Sequence, residues 1–133
     1  MTVKDVNIGD IVQIKYLDFD NNERVGMFLV YSKDSYWLSN LKSFSTIKVC
    51  TNPLSYQVEL DYKFLDHTSY ANCSSFQRFR VDQVYKILGH ISTKDLIKVR
   101  KQLKNFSKDV DKQLESAINL YTNIEKTIKD TKN

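Results

Sequence analysis

Apolar positions along the first two thirds of the chain recur with strand periods, and those of the last third with a helical period. Residues 6–17 set Ile11, Gln13, Lys15 and Leu17 against Val12, Ile14 and Tyr16, which predicts a strand with its Ile14 side inward. Residues 18–23 are rich in Asp and Asn, whose side chains satisfy local backbone groups, and predict a turn. Residues 27–31 form an unbroken apolar run of strand length, the mark of a central strand. Trp37-Leu38 and residues 47–50 predict shorter strands, the second ended by Pro53 after Asn52. Residues 56–60 alternate cleanly and predict another strand. Residues 68–75 are small and polar and read as loop, and residues 76–87 return to strand patterning with Phe79, Val81 and Val84 inward.

Near Ser92 the period changes. Ser92 with Asp95 three residues on forms a short capping box. Leu96, Val99, Leu103 and Phe106 then share one helical face, with Lys94, Lys98, Lys101, Lys104 and Lys108 broadly opposite. Ser107 is placed to cap a second helix, whose stripe is Val110, Leu114, Ala117, Ile118, Tyr121, Ile124 and Ile128. That spacing approaches a heptad seam over about three repeats, enough for a partner or dimer helix. Packing back on the chain's own sheet is the simpler use of the stripe. Residues 131–133 are expected to fray.

Length and composition narrow the class. A chain of 133 residues is large enough to bury one core. Hydrophobic residues make up 41% and charged residues 27%, ordinary for a globular domain. No apolar run approaches a bilayer span, and no secretory h-region follows the first residues. Cys50 and Cys73 lack metal-ligand spacing and read as reduced thiols, so the expected location is cytoplasmic with no membrane partner. Residues 1–92 carry ten Lys/Arg and ten Asp/Glu, whereas residues 93–133 carry ten and six, so the net charge of +4 lies in the last third. Such asymmetry suits nucleic acid or an acidic partner, and equally a solvated helical face.

Catalytic motifs are sparse. No glycine-rich phosphate loop, metal-ligand set or nucleophile elbow occurs, so no metal or cofactor is expected. His67 and His90 are the only imidazoles available for acid–base work, and Asp10 reads as turn-forming at a strand start. Tyr16, Phe19, Tyr36 and Trp37 are available either to stack bases beside basic residues or to pack the core and its rim.

Strands followed by helices predict an α+β chain: a small SH3-like β-barrel with C-terminal helices. The segments Gly9-Asp10-Ile11-Val12, Leu29-Val30-Tyr31-Ser32, Cys50-Thr51-Asn52, Arg80-Val81-Asp82-Gln83 and Gly89-His90-Ile91-Ser92 resemble, in order and spacing, those of the MazF/PemK toxin family. The resemblance covers residues 6–106. It implies a barrel domain with its terminal helix over residues 1–106 and an additional amphipathic helix over 107–133.

Members of that family are typically RNA-cutting toxins, in which the RNA's own 2′-hydroxyl attacks and leaves a 2′,3′-cyclic phosphate. The resemblance implies a catalytic role for Thr51, whose hydroxyl matches the family's Thr/Ser. The family's arginine, which acts near the scissile phosphate, falls on Gly26, and Met27 follows where proline is usual. Glycine offers neither charge nor the guanidinium's donor fork. Arg24 would have to take that place from about 7 Å along the strand. Lys94, Lys98, Lys101 and Lys104, with Tyr36 and Trp37, are the candidate nucleic-acid or partner-binding residues.

Three readings stay open. The chain is an active endoribonuclease toxin, with RNA as substrate and an antitoxin as partner. Or it is a toxin fold with weak or lost nuclease activity, retained to bind nucleic acid or a protein, such as a phage or mobile-element inhibitor of a host-defence protein. Or it is a housekeeping nucleic-acid-binding SH3-like domain. A homodimer is compatible with each.

Overall fold

One antiparallel sheet accounts for both the alternating segments and the unbroken apolar run. The computed structural model describes residues 6–33, 43–52, 57–105 and 111–131. Among them six strands pair: β1 (Asp10–Leu17), β2 (Glu23–Lys33), β3 (Ser43–Cys50), β4 (Gln57–Leu60), β5 (Ser69–Arg80) and β6 (Val84–His90). Their order is β4-β5-β3-β2-β1-β6, in a sheet curled into a half-barrel. Two helices follow, α1 (Thr93–Leu103) and α2 (Asp111–Thr131). The expected Trp37-Leu38 strand, with Tyr36, Phe106, Ser107 and Val110, lies outside the described residues.

Both faces of the central strands are buried, which is why residues 28–31 are apolar without alternation. Leu29 and Tyr31 join Ile11, Ile47, Val49, Ala71 and Cys73 in a cluster beneath the helices. Phe28 and Val30 join Val12, Ile14, Phe44 and Phe79 in a second cluster inside the curl. There the Phe28 and Phe79 rings meet at 4.8 Å, with Tyr16 edge-on to Phe28 at 6.0 Å.

Two expectations need correction. Of residues 68–75, read as loop, all but Thr68 belong to the twelve-residue strand β5 and form its opening half. Ser69, Ala71 and Cys73 alternate inward, and Ala71 and Cys73 belong to the cluster beneath the helices. Small residues carry little hydrophobic signal, so their periodicity was hidden. Gly89 and His90, read as a turn, are the last residues of β6.

Helix α1 begins as its sequence dictates. The Ser92 hydroxyl accepts from the Asp95 amide at 3.1 Å. Tyr62 reinforces this end: its hydroxyl accepts from the Ser92 amide at 2.8 Å and donates to the Asp95 carboxylate. Leu96, Val99 and Leu103 are fully buried in the cluster beneath the helices. Leu114, Ala117 and Ile118 of α2 are buried as well, and the Tyr121 hydroxyl donates to the Ile8 carbonyl at 2.7 Å. Further along the same stripe Ile124 and Ile128 are exposed, so α2 buries only part of it.

Two glycines are demanded by close approach. Gly9 adopts φ +99° and holds both neighbours by its backbone, donating to Val30 at 2.8 Å and accepting from Ile91 at 2.9 Å. Gly89 lies against the Phe64 ring, which a β-carbon there would meet at 2.5 Å.

Three outcomes are expected. Leu103→Ala should lower unfolding free energy by roughly 2–5 kcal/mol, read by denaturant titration, and a smaller loss would mean that the helix is not part of the core. Gly89→Ala must move Phe64 and should destabilise by about 1–3 kcal/mol; unchanged stability would show that the ring does not rest there. Burial pushes the Cys73 thiol up to about 12, whereas Cys50 is half-buried at a strand end. Native protein should therefore expose one fast-reacting thiol to a disulfide reagent, lost in Cys50→Ser, with Cys73 reacting only after unfolding.

Candidate nucleic-acid interface

Thr51 follows the last residue of β3 and is exposed at the mouth of a cavity of about 310 Å³. Sheet register explains what surrounds it. Met27 of β2 pairs with Val49 of β3 and with Gln13 of β1, and Gln13 pairs in turn with Lys86 of β6. Gln13, Met27 and Lys86 thus lie side by side across three strands and form the floor. The segment between β4 and β5 supplies the wall, with Phe64, Asp66 and His67, joined by Ser69 at the start of β5. Phe64 is held by stacking on Tyr62 at 5.1 Å.

The cavity brings together two hydroxyls, an imidazole, an amide, a carboxylate and an ammonium. Lys86 is its one cationic side chain and makes no ion pair among the described residues. A lysine presents a point charge to a phosphate, without the fixed fork of a guanidinium.

Arg24 is elsewhere. It pairs with Tyr16 near the tip of the β1–β2 hairpin, and its Nε donates to Asp18 Oδ2 at 2.9 Å. Asp18 is the hub of that tip. Its other oxygen accepts from the Asp20 and Asn22 amides, each at 2.9 Å, while Asn21 takes φ 61°. The Arg24 guanidinium, followed by the Asn22 amide, holds the Asp18 carboxyl below its usual range. Gly26 faces the inside of the curl, where a β-carbon would meet Phe28 and Tyr16. On β2 it is Met27, not Gly26, that shares the cavity with Thr51.

The remaining candidates are dispersed. Lys94, Lys98 and Lys101 on α1, with Lys104 at its C-terminal cap, are exposed and line none of the described cavities. Lys98 lies 3.9 Å from Asp95. Tyr36 and Trp37 lie outside the described residues. Tyr16 packs on Phe28, whereas Phe19 at the hairpin tip is fully exposed.

His90 and Asp10 meet at a separate place. His90 Nδ1 lies 2.9 Å from Asp10 Oδ1, and the other Asp10 oxygen accepts from the Asn7 amide at 2.8 Å. Tyr121 stands edge-on to the imidazole at 5.0 Å. This cluster joins β1, β6 and α2 and shares no residue with the Thr51 cavity. Among the described residues no group of three or more His, Cys, Asp or Glu side chains could hold a metal ion, and no helix is long and apolar enough to cross a membrane.

Sequence reasoning missed Gln13, Met27 and Lys86, because their meeting depends on β6 pairing with β1 about 70 residues away in the chain. One local signal existed. Tyr85-Lys86 between Val84 and Ile87 breaks the period of two, as a β-bulge does.

No family model and no curated protein matches the sequence. Solved structures do. An endoribonuclease from a mycobacterial species, in complex with its cognate antitoxin, superposes with a TM-score of 0.57 at 15% identity, covering 73% of this chain and 89% of that one. The Mycobacterium tuberculosis toxin MazF-mt6 gives 0.56 at 16%, covering 71% and 93%. The element order, the curled six-stranded sheet and these superpositions lead to one conclusion: the chain has the MazF/PemK-like toxin fold, in a divergent sequence.

Proposed function

We propose that the chain binds single-stranded RNA at the Thr51 cavity and cleaves it only weakly. The observation that carries this reading is the composition of that cavity: a strand-end hydroxyl and a single lysine, with methionine as the residue that β2 contributes. In the cleavage step the RNA 2′-oxygen attacks phosphorus and the 5′-oxygen leaves with a proton. Negative charge grows on the non-bridging oxygens. Preorganised donors aimed at that charge are worth several kcal/mol, and a guanidinium supplies two in a fixed plane. Thr51 offers one hydroxyl and Lys86 one mobile ammonium. His67 is the imidazole nearest this chemistry by position, in the same wall. Arg24, tied to Asp18, serves the hairpin rather than the phosphate. The lysines of α1 add longer-range attraction for a polyanion.

The neighbour solved with its cognate antitoxin makes an antitoxin the first protein partner to seek. A second reading rests on α2. Leu120, Ile124 and Ile128 are all about half exposed along its outer side. A toxin fold repurposed to hold a protein, as a phage or mobile-element inhibitor of host defence would be, could use that ridge.

The test is RNA cleavage by the purified full chain, with mapping of the ends. Slow cleavage leaving 2′,3′-cyclic phosphate, reduced by Thr51→Ala and little changed by Arg24→Ala, is expected. Met27→Arg should raise the rate, because it places a guanidinium in the cavity, whereas Gly26→Arg should not. Fast cleavage by the unaltered chain that Arg24→Ala abolishes would overturn this assignment. Absence of RNA binding, together with capture of a defence protein that Ile124→Asp prevents, would establish the second reading.

A further inference from the structure

Strand β6 carries an extra residue against β1, and this exposes two neighbouring side chains together. Register along β1 and β6 runs Gln13 to Lys86 and then Ile14 to Val84, leaving Tyr85 without a partner on β1. A bulge of this kind turns consecutive side chains toward the same face. The packing agrees. Val84 and Ile87 rest on the cluster inside the curl. Lys86 lines the Thr51 cavity on the opposite face. The Tyr85 ring also lies there, with the Lys15 ammonium 4.4 Å from its centroid. Lys15 stands two residues from Gln13, hence on the same face of β1.

This half of the face is not covered by the helices. Tyr85 is 60% exposed, Val25 opposite Lys15 is 55% exposed, and Leu17 beyond it is 65% exposed. Two ammonium groups, an open aromatic ring and a shallow apolar floor therefore run outward from the cavity. Two carboxylates also face this region, Asp66 in the cavity wall and Glu23 opposite Leu17. The cations are adjacent to the ring and the carboxylates stand at the two ends.

Resting on the RNA reading above, we propose that Tyr85, Lys86 and Lys15 form a nucleotide track. Lys86 holds the phosphate seated at Thr51, and Tyr85, braced on one side by Lys15, stacks the adjoining base. Aromatic stacking accepts any base, because each has a π-face, and cations beside it follow the backbone. The bulge is what allows one strand to offer a phosphate ligand and a stacking platform at successive residues.

The experiment is fluorescence anisotropy of the full chain with a labelled single-stranded oligoribonucleotide of about a dozen nucleotides over a range of salt. Tyr85→Ala should weaken binding about tenfold or more, and Tyr85→Phe should restore most of it because the ring is kept. Lys86→Gln should weaken binding and reduce the slope of log K against log salt by about 0.7, the change expected when the protein neutralises one phosphate fewer on a single strand. Lys126→Gln, on the exposed side of α2, serves as the control that leaves affinity unchanged. Circular dichroism checks that each variant is folded. Binding by the unaltered chain that survives both Tyr85→Ala and Lys86→Gln would overturn the track and leave the RNA reading standing. An unaltered chain that binds no RNA would remove both. A shift in oligomeric state with Tyr85→Ala, and none in RNA affinity, would assign the patch to a protein interface instead.

Discussion

The pairing of β1 with β6 is the constraint on which the rest of the molecule depends. It joins the start of the sheet to its last strand, and it is imperfect at two points, leaving Leu88 and Tyr85 unpaired. Each extra residue moves the following side chains to the other face. At Leu88 the shift puts consecutive residues toward the helices, so that Leu88 joins that cluster and Gly89 receives the Phe64 ring. At Tyr85 it puts a ring and an ammonium on one open surface. A regular β6 would have buried one of each pair inside the curl, where the space is already filled by Phe28, Phe79 and Ile14. Packing of one face thus decides what the other can present.

Charge in the cavity follows the same geometry. The cation that lines the Thr51 cavity comes from β6, which pairs there with Gln13 of β1, and not from β2. The arginine nearest in sequence is bound to the carboxylate that organises the hairpin tip. That pairing adds local order, since the Asp18 carboxylate accepts three hydrogen bonds at the tip.

Much of the architecture was legible because long periodic segments carry their own signal. The buried run of β2, the cap at Ser92 and the face made by Leu96, Val99 and Leu103 all appear where their patterns put them. The start of β5 was illegible for the opposite reason: Ser69, Ala71 and Cys73 are inward but small. Thr51 could be singled out from its neighbours in the chain. Lys86 could not, because its place in the cavity comes from lying across β1 from Met27, and that adjacency is a property of the sheet alone. Nor could sequence show that Asp10, at a strand start, would be buried and held by His90, a residue 80 positions away.

The bond from Tyr121 to the Ile8 carbonyl spans 113 positions. It also sets the order in which the protein can be completed. During synthesis at roughly 5–20 residues per second, Ile8 waits on the order of ten seconds for its partner to be made. Through that interval the cluster beneath the helices lacks Leu114 and Ile118, and β1 lacks β6 for much of it. Native packing is therefore a late and collective event, reached after nearly all of the described chain has been translated, and the growing chain passes through states in which the edge of β1 is open.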